Sequence, residues 1–387
     1  MTFTKPVELK AHYKITTPLF LGDADQGADA QYFRNASIKG ALRFWWRALQ
    51  WGVIASQSAN EQEALKQLHQ QEGELFGTAS GSTGVQSRFV ITTEFKGSKL
   101  HAKGGKSLDS LSYLLGQGLY ENKVVSKDYL DGGELSLTVR FKPGAKPSAA
   151  QQKQLEQAMI ALGVLGGLGS RARKGFGSLA IQQIETAEGE QRFEKLEDIE
   201  QFIHSLNFTA NDDAPLTAFT QSTQVDASLT GRSARGLLQS ISNELHAYRD
   251  GTDKSQNREN NFPEDRQIAL QAAQGNKVSE LPKRGTFGLP HNYFWPQKKE
   301  LGALEIKPKM DQGSRRASPL FIHIHEFPNQ QCVAIQTLLP TRFLPKNTNI
   351  EFKAKRSQLV SNLQPDYSVI TRYLARFKER KVLRHGK

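Results

Sequence analysis

The sequence predicts an α+β chain in which a β-α-β-β-α-β unit occurs twice, and three observations carry that prediction. The first half shows segments of strict apolar alternation separated by two helical segments. A second, weaker copy of the same pattern follows after residue 190. The chain has 387 residues, more than one core usually serves, which fits two units better than one.

In the first unit, Val7, Leu9, Ala11, Tyr13 and Ile15 alternate as on a half-buried strand. An acidic loop through Asp23, Asp25, Gly27 and Asp29 follows; it lacks the bidentate Glu of a calcium loop and reads as solvated. A helix is expected from Ser37 to about Gly52 and another over 60–75. Residues 88–93 read as a strand, 96–133 as loops, and Glu134–Lys142 as a strand with Leu135, Leu137, Val139 and Phe141 on one face. Pro147-Ser148 opens the second helix, and a short strand, Ser178–Ile184, closes the unit. This order is the ferredoxin-like, RRM-like arrangement. The expected division is 1–190 and 191–387, two ferredoxin-like domains with long loop insertions.

The stretch 186–200 and Asn211-Asp212-Asp213 read as the connection to the second unit. There the expected elements are a strand at Phe219–Val225, a helix at Ser233–Tyr248, and paired strands Leu320–Phe327 and Cys332–Leu339. A basic helix is expected around Tyr367–Leu383, and 250–285 reads as a polar, mobile insertion.

Charge narrows the function. Lys and Arg number 51 against 39 Asp and Glu, a formal charge of +12, which suits a polyanionic partner. No window approaches the roughly 20 apolar residues of a membrane span. The opening residues lack the apolar core of a signal peptide, and a single cysteine, Cys332, excludes a disulfide framework or multi-cysteine zinc site. The expected location is the cytoplasm, with no cofactor and no metal.

Two segments could carry chemistry. On the helix Ser37–Gly52, Ile38, Leu42, Trp45 and Leu49 make an inward stripe, and Lys39, Arg43, Trp46 and Arg47 fall on the neighbouring face. Cations beside a large ring can hold phosphates and stack a base; the plain alternative is a wet face and core tryptophans. The second segment is Gly163–Gly177, with six glycines and Arg171, Arg173 and Lys174. Its backbone N–H groups could turn toward an anion. It has no Walker spacing and fails the dinucleotide fingerprint, and Lys174-Gly-Phe176-Gly matches the ribonucleoprotein strand motif only in part. The plain alternative is a helix end and tight turn. The expectation is that the two surfaces converge on one groove.

Together, Ser37-Ile-Lys-Gly-Ala-Leu-Arg43 and Gly167-Leu-Gly-Ser-Arg-Ala-Arg-Lys-Gly-Phe-Gly177 resemble the RAMP superfamily of CRISPR-associated proteins. Phe44-Trp-Trp-Arg-Ala-Leu49, Gly288-Leu-Pro-His-Asn292 and Arg315-Arg-Ala-Ser-Pro-Leu320 are similar to a RAMP subunit of the type III-B (Cmr) effector complex. The resemblance implies a non-catalytic subunit of a ribonucleoprotein. Its partners would be guide RNA near its 3′ end, the target RNA paired there, and other Cmr RAMP subunits, one of which cleaves the target. The implied contacts are Lys39, Arg43, Arg47, Arg171, Arg173, Lys174, Arg315 and Arg316, with Trp46 or Phe176 stacking on a base. Two alternatives stand beside it: a metal-independent endoribonuclease using His12, His69 or His101, and a structural cap that touches only protein.

Three further features stand apart from these motifs. His323 and His325 share a strand face without a third metal ligand and read as a polar sheet face. Cys332 reads as a buried thiol. Residues 351–387 carry ten Lys or Arg against three acids and read as a nucleic-acid or assembly surface.

Overall fold

A computed structural model describes residues 6–22, 33–79, 84–97, 99–250, 261–310 and 313–386. The acidic loop at Asp23–Asp29 lies outside them. The first half runs β1 (Glu8–Ile15), α1 (Asn35–Gln57), α2 (Glu61–Phe76), β2 (Phe89–Lys96), β3 (Lys99–His101), α3 (Ser112–Leu115), β4 (Tyr120–Glu121), β5 (Val124–Val125), β6 (Tyr129–Asp131), β7 (Glu134–Phe141), α4 (Ala149–Val164) and β8 (Leu179–Thr186). After β9 (Gly189–Arg192) and α5 (Leu196–His204) come β10 (Gln224–Gly231), α6 (Ala234–Asp250), α7 (Asp265–Ala273), β11 (His291–Tyr293), β12 (Leu304–Lys309), β13 (Leu320–Glu326), β14 (Cys332–Leu338), β15 (Asn349–Lys353), β16 (Gln358–Ser361), α8 (Ser368–Leu374) and β17 (Lys381–Arg384).

Two sheets have the same construction. The first is ordered β2-β7-β1-β8-β9 and the second β13-β14-β10-β17. Each puts its first strand between the third and fourth of its unit, with antiparallel neighbours throughout. That is the β-α-β-β-α-β arrangement expected from the sequence, present in both halves. In β1 the burial alternates residue by residue, with Leu9, Ala11, Tyr13 and Ile15 turned inward beneath α1 and α4.

Several elements differ from expectation. Helix α1 runs past Gly52 to Gln57, because Trp51 and Ile54 extend its buried face. Gly52 itself is buried, and a Cβ there would sit 3.3 Å from the Ala210 backbone nitrogen, so packing overrides its role as a stop. The supposed connection at 186–200 holds β9 and α5. The second unit's first strand is β10, later than Phe219–Val225; Phe219 packs instead near Trp45, with ring centroids 6.2 Å apart. The 250–285 insertion is not wholly irregular: α7 buries Ile268, Ala269, Ala272 and Ala273. They face a third sheet, β11-β12-β15-β16, which the sequence reading missed. The C-terminal helix is only Ser368–Leu374, and Lys381–Arg384 is the edge strand β17.

The two units meet along β8 and β13. The Ile322 N–H donates to the Arg173 carbonyl at 3.0 Å, and Thr16 Oγ1 donates to the Ile324 carbonyl at 2.6 Å. His323 and His325, expected on a polar face, are fully buried here; His323 Nδ1 lies 2.7 Å from the Gly166 carbonyl. Burial drives the His323 ring down to about 4 and moves His325 in the same direction, so both are neutral. Cys332 is buried, its thiol pushed up to about 11 by desolvation. No described helix is long and apolar enough to cross a membrane.

Candidate nucleic-acid interface

The N-terminal turn of α1, and not its Lys39, Arg43, Trp46 and Arg47 face, shares a cavity with the glycine-rich turn. A cavity of about 450 Å³ is lined by Arg34, Ser37 and Ala41 at the start of α1 and by Gly167, Leu168, Gly169 and Ser170 of the turn. Helix α1 has 23 residues, no acidic residue in its first turn, and an N-cap, Arg34, that makes no side-chain capping bond. Its aligned peptide dipoles therefore present partial positive charge to this cavity.

The glycines serve close packing first. At Gly177 (φ +59°) a Cβ would lie 2.1 Å from the Leu168 carbonyl oxygen, and at Gly169 (φ +80°) 2.4 Å from the Phe20 oxygen. Both backbones also need the left-handed region that glycine adopts without steric cost. The turn is then fastened by hydrogen bonds from Leu168 N to Gly177 O (2.9 Å), Ser170 N to Phe20 O (2.9 Å) and Gly177 N to Pro18 O (2.9 Å).

The cations of the turn are oriented by the protein. Arg171, itself at φ +64°, donates from Nε to the Leu115 carbonyl and from Nη2 to the Gln117 carbonyl, both at 2.7 Å. Arg173 donates to the Ser318 carbonyl at 2.8 Å and lies over the rings of Phe44 (5.2 Å) and Phe321 (4.4 Å). Burial, with Arg316 nearby, lowers its guanidinium to about 10. Arg173 thus ties the two units together. Lys174 is brought down to about 8 by burial and then by Arg171 and Arg249.

Other expected contacts are not available as expected. Trp46 is 1% exposed, donates its indole N–H to Gln154 Oε1 at 3.2 Å, and packs edge-on to Phe76. It cannot stack on a base, because α2 covers that flank of α1. Phe176 is equally enclosed, edge-on to Phe20. Arg43 and Arg47 turn toward a single carboxylate, Glu72 of α2, with nitrogen–oxygen distances of 3.3 and 3.8 Å. With Lys39 and His69, Arg43 and Glu72 line a separate cavity of about 470 Å³ between α1 and α2. Lys39 is lowered by burial and by Arg43 and Lys142. The helical cations therefore do not converge with those of the turn. Arg316 donates to the Arg342 carbonyl at 3.2 Å and stacks over Phe343, a structural placement, whereas Arg315 is exposed.

The basic C-terminal region is neutralised in part within the molecule. Arg380 lies 3.1 Å from buried Asp226, Lys381 2.6 Å from Glu200, and Arg376 pairs with Glu244. These three cations are structural, whereas Lys353, Lys355, Arg356 and Lys378 are exposed. Sequence reasoning missed Arg34, Ser37 and Ser170 as lining residues; the signal was a long helix opening on Arg34-Asn-Ala-Ser37 with no acidic residue in its first turn.

Comparison with known proteins fits this geometry. Residues 12–180 match the model of the RAMP superfamily. The chain is 28% identical over 186 residues to the CRISPR system Cmr subunit Cmr1-2 of Pyrococcus furiosus, covering 43% of this chain and 91% of that protein. The crystal structure of apo Cmr1 from Pyrococcus furiosus superposes with a TM-score of 0.54 at 18% identity, covering 98% of this chain and 99% of that one. A chain in the cryo-EM structure of the type III-B Cmr-beta complex bound to cognate target RNA gives 0.53 at 10% identity, covering 96% and 99%. Residues 12–180 are thus similar to the RAMP superfamily, and over nearly its whole length the chain has the fold of Cmr1.

Proposed function

We propose that the chain is a non-catalytic RNA-binding subunit of a type III-B CRISPR ribonucleoprotein. In this reading 1–190 and 191–387 are two domains that jointly hold guide RNA near its 3′ end and the target RNA paired with it, beside other Cmr subunits. The observation that carries the reading is the single cavity between the N-terminus of α1 and the glycine-rich turn. A helix terminus with Arg34 beside it attracts phosphates without reading bases, which suits a protein that accepts any guide. The likeness to a chain of a Cmr complex bound to target RNA supports the same conclusion.

The histidines support a binding role over catalysis. His12 is held from both sides, by Glu185 at 3.0 Å and Ser136 at 2.9 Å, and sits away from the cavity's lining residues. His101 stacks on Tyr129 with centroids 4.7 Å apart, and His69 lines the other cavity. The test is titration of labelled RNA by fluorescence anisotropy at several salt concentrations. Reversal of charge by Arg34→Glu should weaken binding about equally for unrelated sequences and flatten the salt dependence. Unchanged affinity and slope would refute the site, and metal-free RNA cleavage lost in His12→Ala would refute the non-catalytic role.

A further inference from the structure

Among the described residues, all but one of the strands at a sheet edge are short or covered. β9, β16 and β17 have four residues each and β11 three, and the two-stranded sheets have strands of three residues or fewer. β13 lies against the first unit, where the Ile322 N–H donates to the Arg173 carbonyl. The exception is β2, the outer strand of the first sheet. Its eight residues, Phe89–Lys96, include neither proline nor glycine and carry the β-branched run Val90-Ile-Thr-Thr93. A long, regular edge of that kind is a template for another strand.

The register says which groups are open. The Lys142 N–H donates to the Arg88 carbonyl and the Phe141 N–H to the Val7 carbonyl, both at 2.9 Å, and main-chain groups alternate in direction along a strand. Val90, Thr92, Glu94 and Lys96 therefore bond to β7. Phe89, Ile91, Thr93 and Phe95 turn their N–H and C=O groups away from the sheet. At Ile91 a side chain already stands in for a strand, since Asn35 Nδ2 donates to its carbonyl at 2.9 Å.

Beside the start of this edge lies the α1–α2 cavity of about 470 Å³. Ser87, two residues before β2, lines it, and Lys39 Nζ lies 5.8 Å from the centre of the Phe89 ring. Of its lining residues Lys39 and Arg43 are cations and Glu72 is the one carboxylate, which Arg43 shares with Arg47 at 3.3 and 3.8 Å. Burial lowers Lys39, and the like charges of Arg43 and Lys142 lower it further. The cavity is left cationic where a side chain of a strand added next to Phe89 would rise.

We infer that β2 takes an added strand from a neighbouring protein, an extended acidic segment that pairs with Phe89, Ile91, Thr93 and Phe95 and sets a carboxylate against Lys39. The inference goes beyond the RNA-binding reading and uses a different surface from the cavity at the N-terminus of α1. A polypeptide fits because its N–H and C=O groups repeat every two residues, about 7 Å, as those of the edge do. An RNA strand offers no such alternation.

The probe is a fluorescein-labelled peptide of about nine residues, long enough to span the edge, in which glutamate alternates with valine and threonine; a lysine version is the control. Anisotropy with the full chain should show the glutamate peptide binding at least about tenfold tighter. Thr93→Pro removes one outward N–H and no ladder bond. It should keep the far-UV spectrum and the RNA affinity while weakening the peptide at least about tenfold. Lys39→Gln should weaken the peptide about fivefold and remove most of the preference for glutamate over lysine. Hydrogen exchange on native protein needs no variant: bound peptide should slow the amides of Phe89, Ile91, Thr93 and Phe95 and leave those of Val90, Thr92 and Glu94 unchanged. No binding of the glutamate peptide up to about 1 mM, or no slowing at the outward amides, overturns the inference. So does a Lys39→Gln variant that binds the peptide normally but RNA poorly, since the cavity would then serve RNA. The α1 site is judged separately, by Arg34→Glu.

Discussion

The buried histidine at the seam makes the fold acid-sensitive in a specific window. His323 is fully buried, and its folded value of about 4 lies below the usual 6.5 because no solvent reaches the ring. The unfolded chain therefore binds the proton more readily, so stability is intact above about pH 6.5 and is lost progressively as pH falls toward 4. Working the two values through linkage, a drop from pH 7 to pH 5 costs about 2 kcal/mol from this ring alone. His325 shifts in the same direction. His291, lowered to about 3 by burial and by Arg249 and Arg284, adds to the same window, so native protein alone cannot assign the effect. The assignment comes from His323→Asn, which can keep a donor toward the Gly166 carbonyl but does not titrate. Urea unfolding at pH 7 and pH 5 should show that the variant loses about 2 kcal/mol less than native protein does. Equal losses in both would refute the argument that this ring titrates with unfolding.

Three other outcomes follow from the contacts. Arg342 is bidentate on Glu61 (3.1 and 2.6 Å) and also holds Asp213 (2.9 and 2.6 Å), joining α2, the connection and the second unit; Arg342→Ala should cost about 2 kcal/mol in urea unfolding. Gly177→Ala should cost more than about 3 kcal/mol, because a Cβ 2.1 Å from the Leu168 oxygen forces the turn open, and a native-like melting temperature would contradict that geometry. Trp46→Phe should lose about 1 kcal/mol with the indole bond to Gln154 but leave RNA affinity unchanged; a large loss of affinity in a folded variant would return Trp46 to the binding surface.

What the sequence made legible was local, and what it hid was tertiary. The alternation in β1 and β7, and the stripe Ile38, Leu42, Trp45 and Leu49, report a face turned toward a core, and each is buried. Period alone cannot say how many neighbours a helix has. Trp46 belonged to the outer face only until α2 folded over it, and the spacing on α1 contains no trace of Phe76. Strands of the third sheet were invisible for a different reason. They are short, β12 carries Pro308, and Pro308 pairs with Ile350 more than forty positions later, so no local pattern marks the partnership. Charge misled most. A basic run such as 372–384 looks like a surface awaiting a polyanion, but Arg380 meets Asp226 and Arg376 meets Glu244, acids distant in sequence and adjacent in space. Net charge counts cations; only the fold says which are already answered. The glycine-rich turn shows the same dependence on the fold. There the glycines let the turn pack tightly, and that tight turn sets Arg171 and Lys174 beside Arg249.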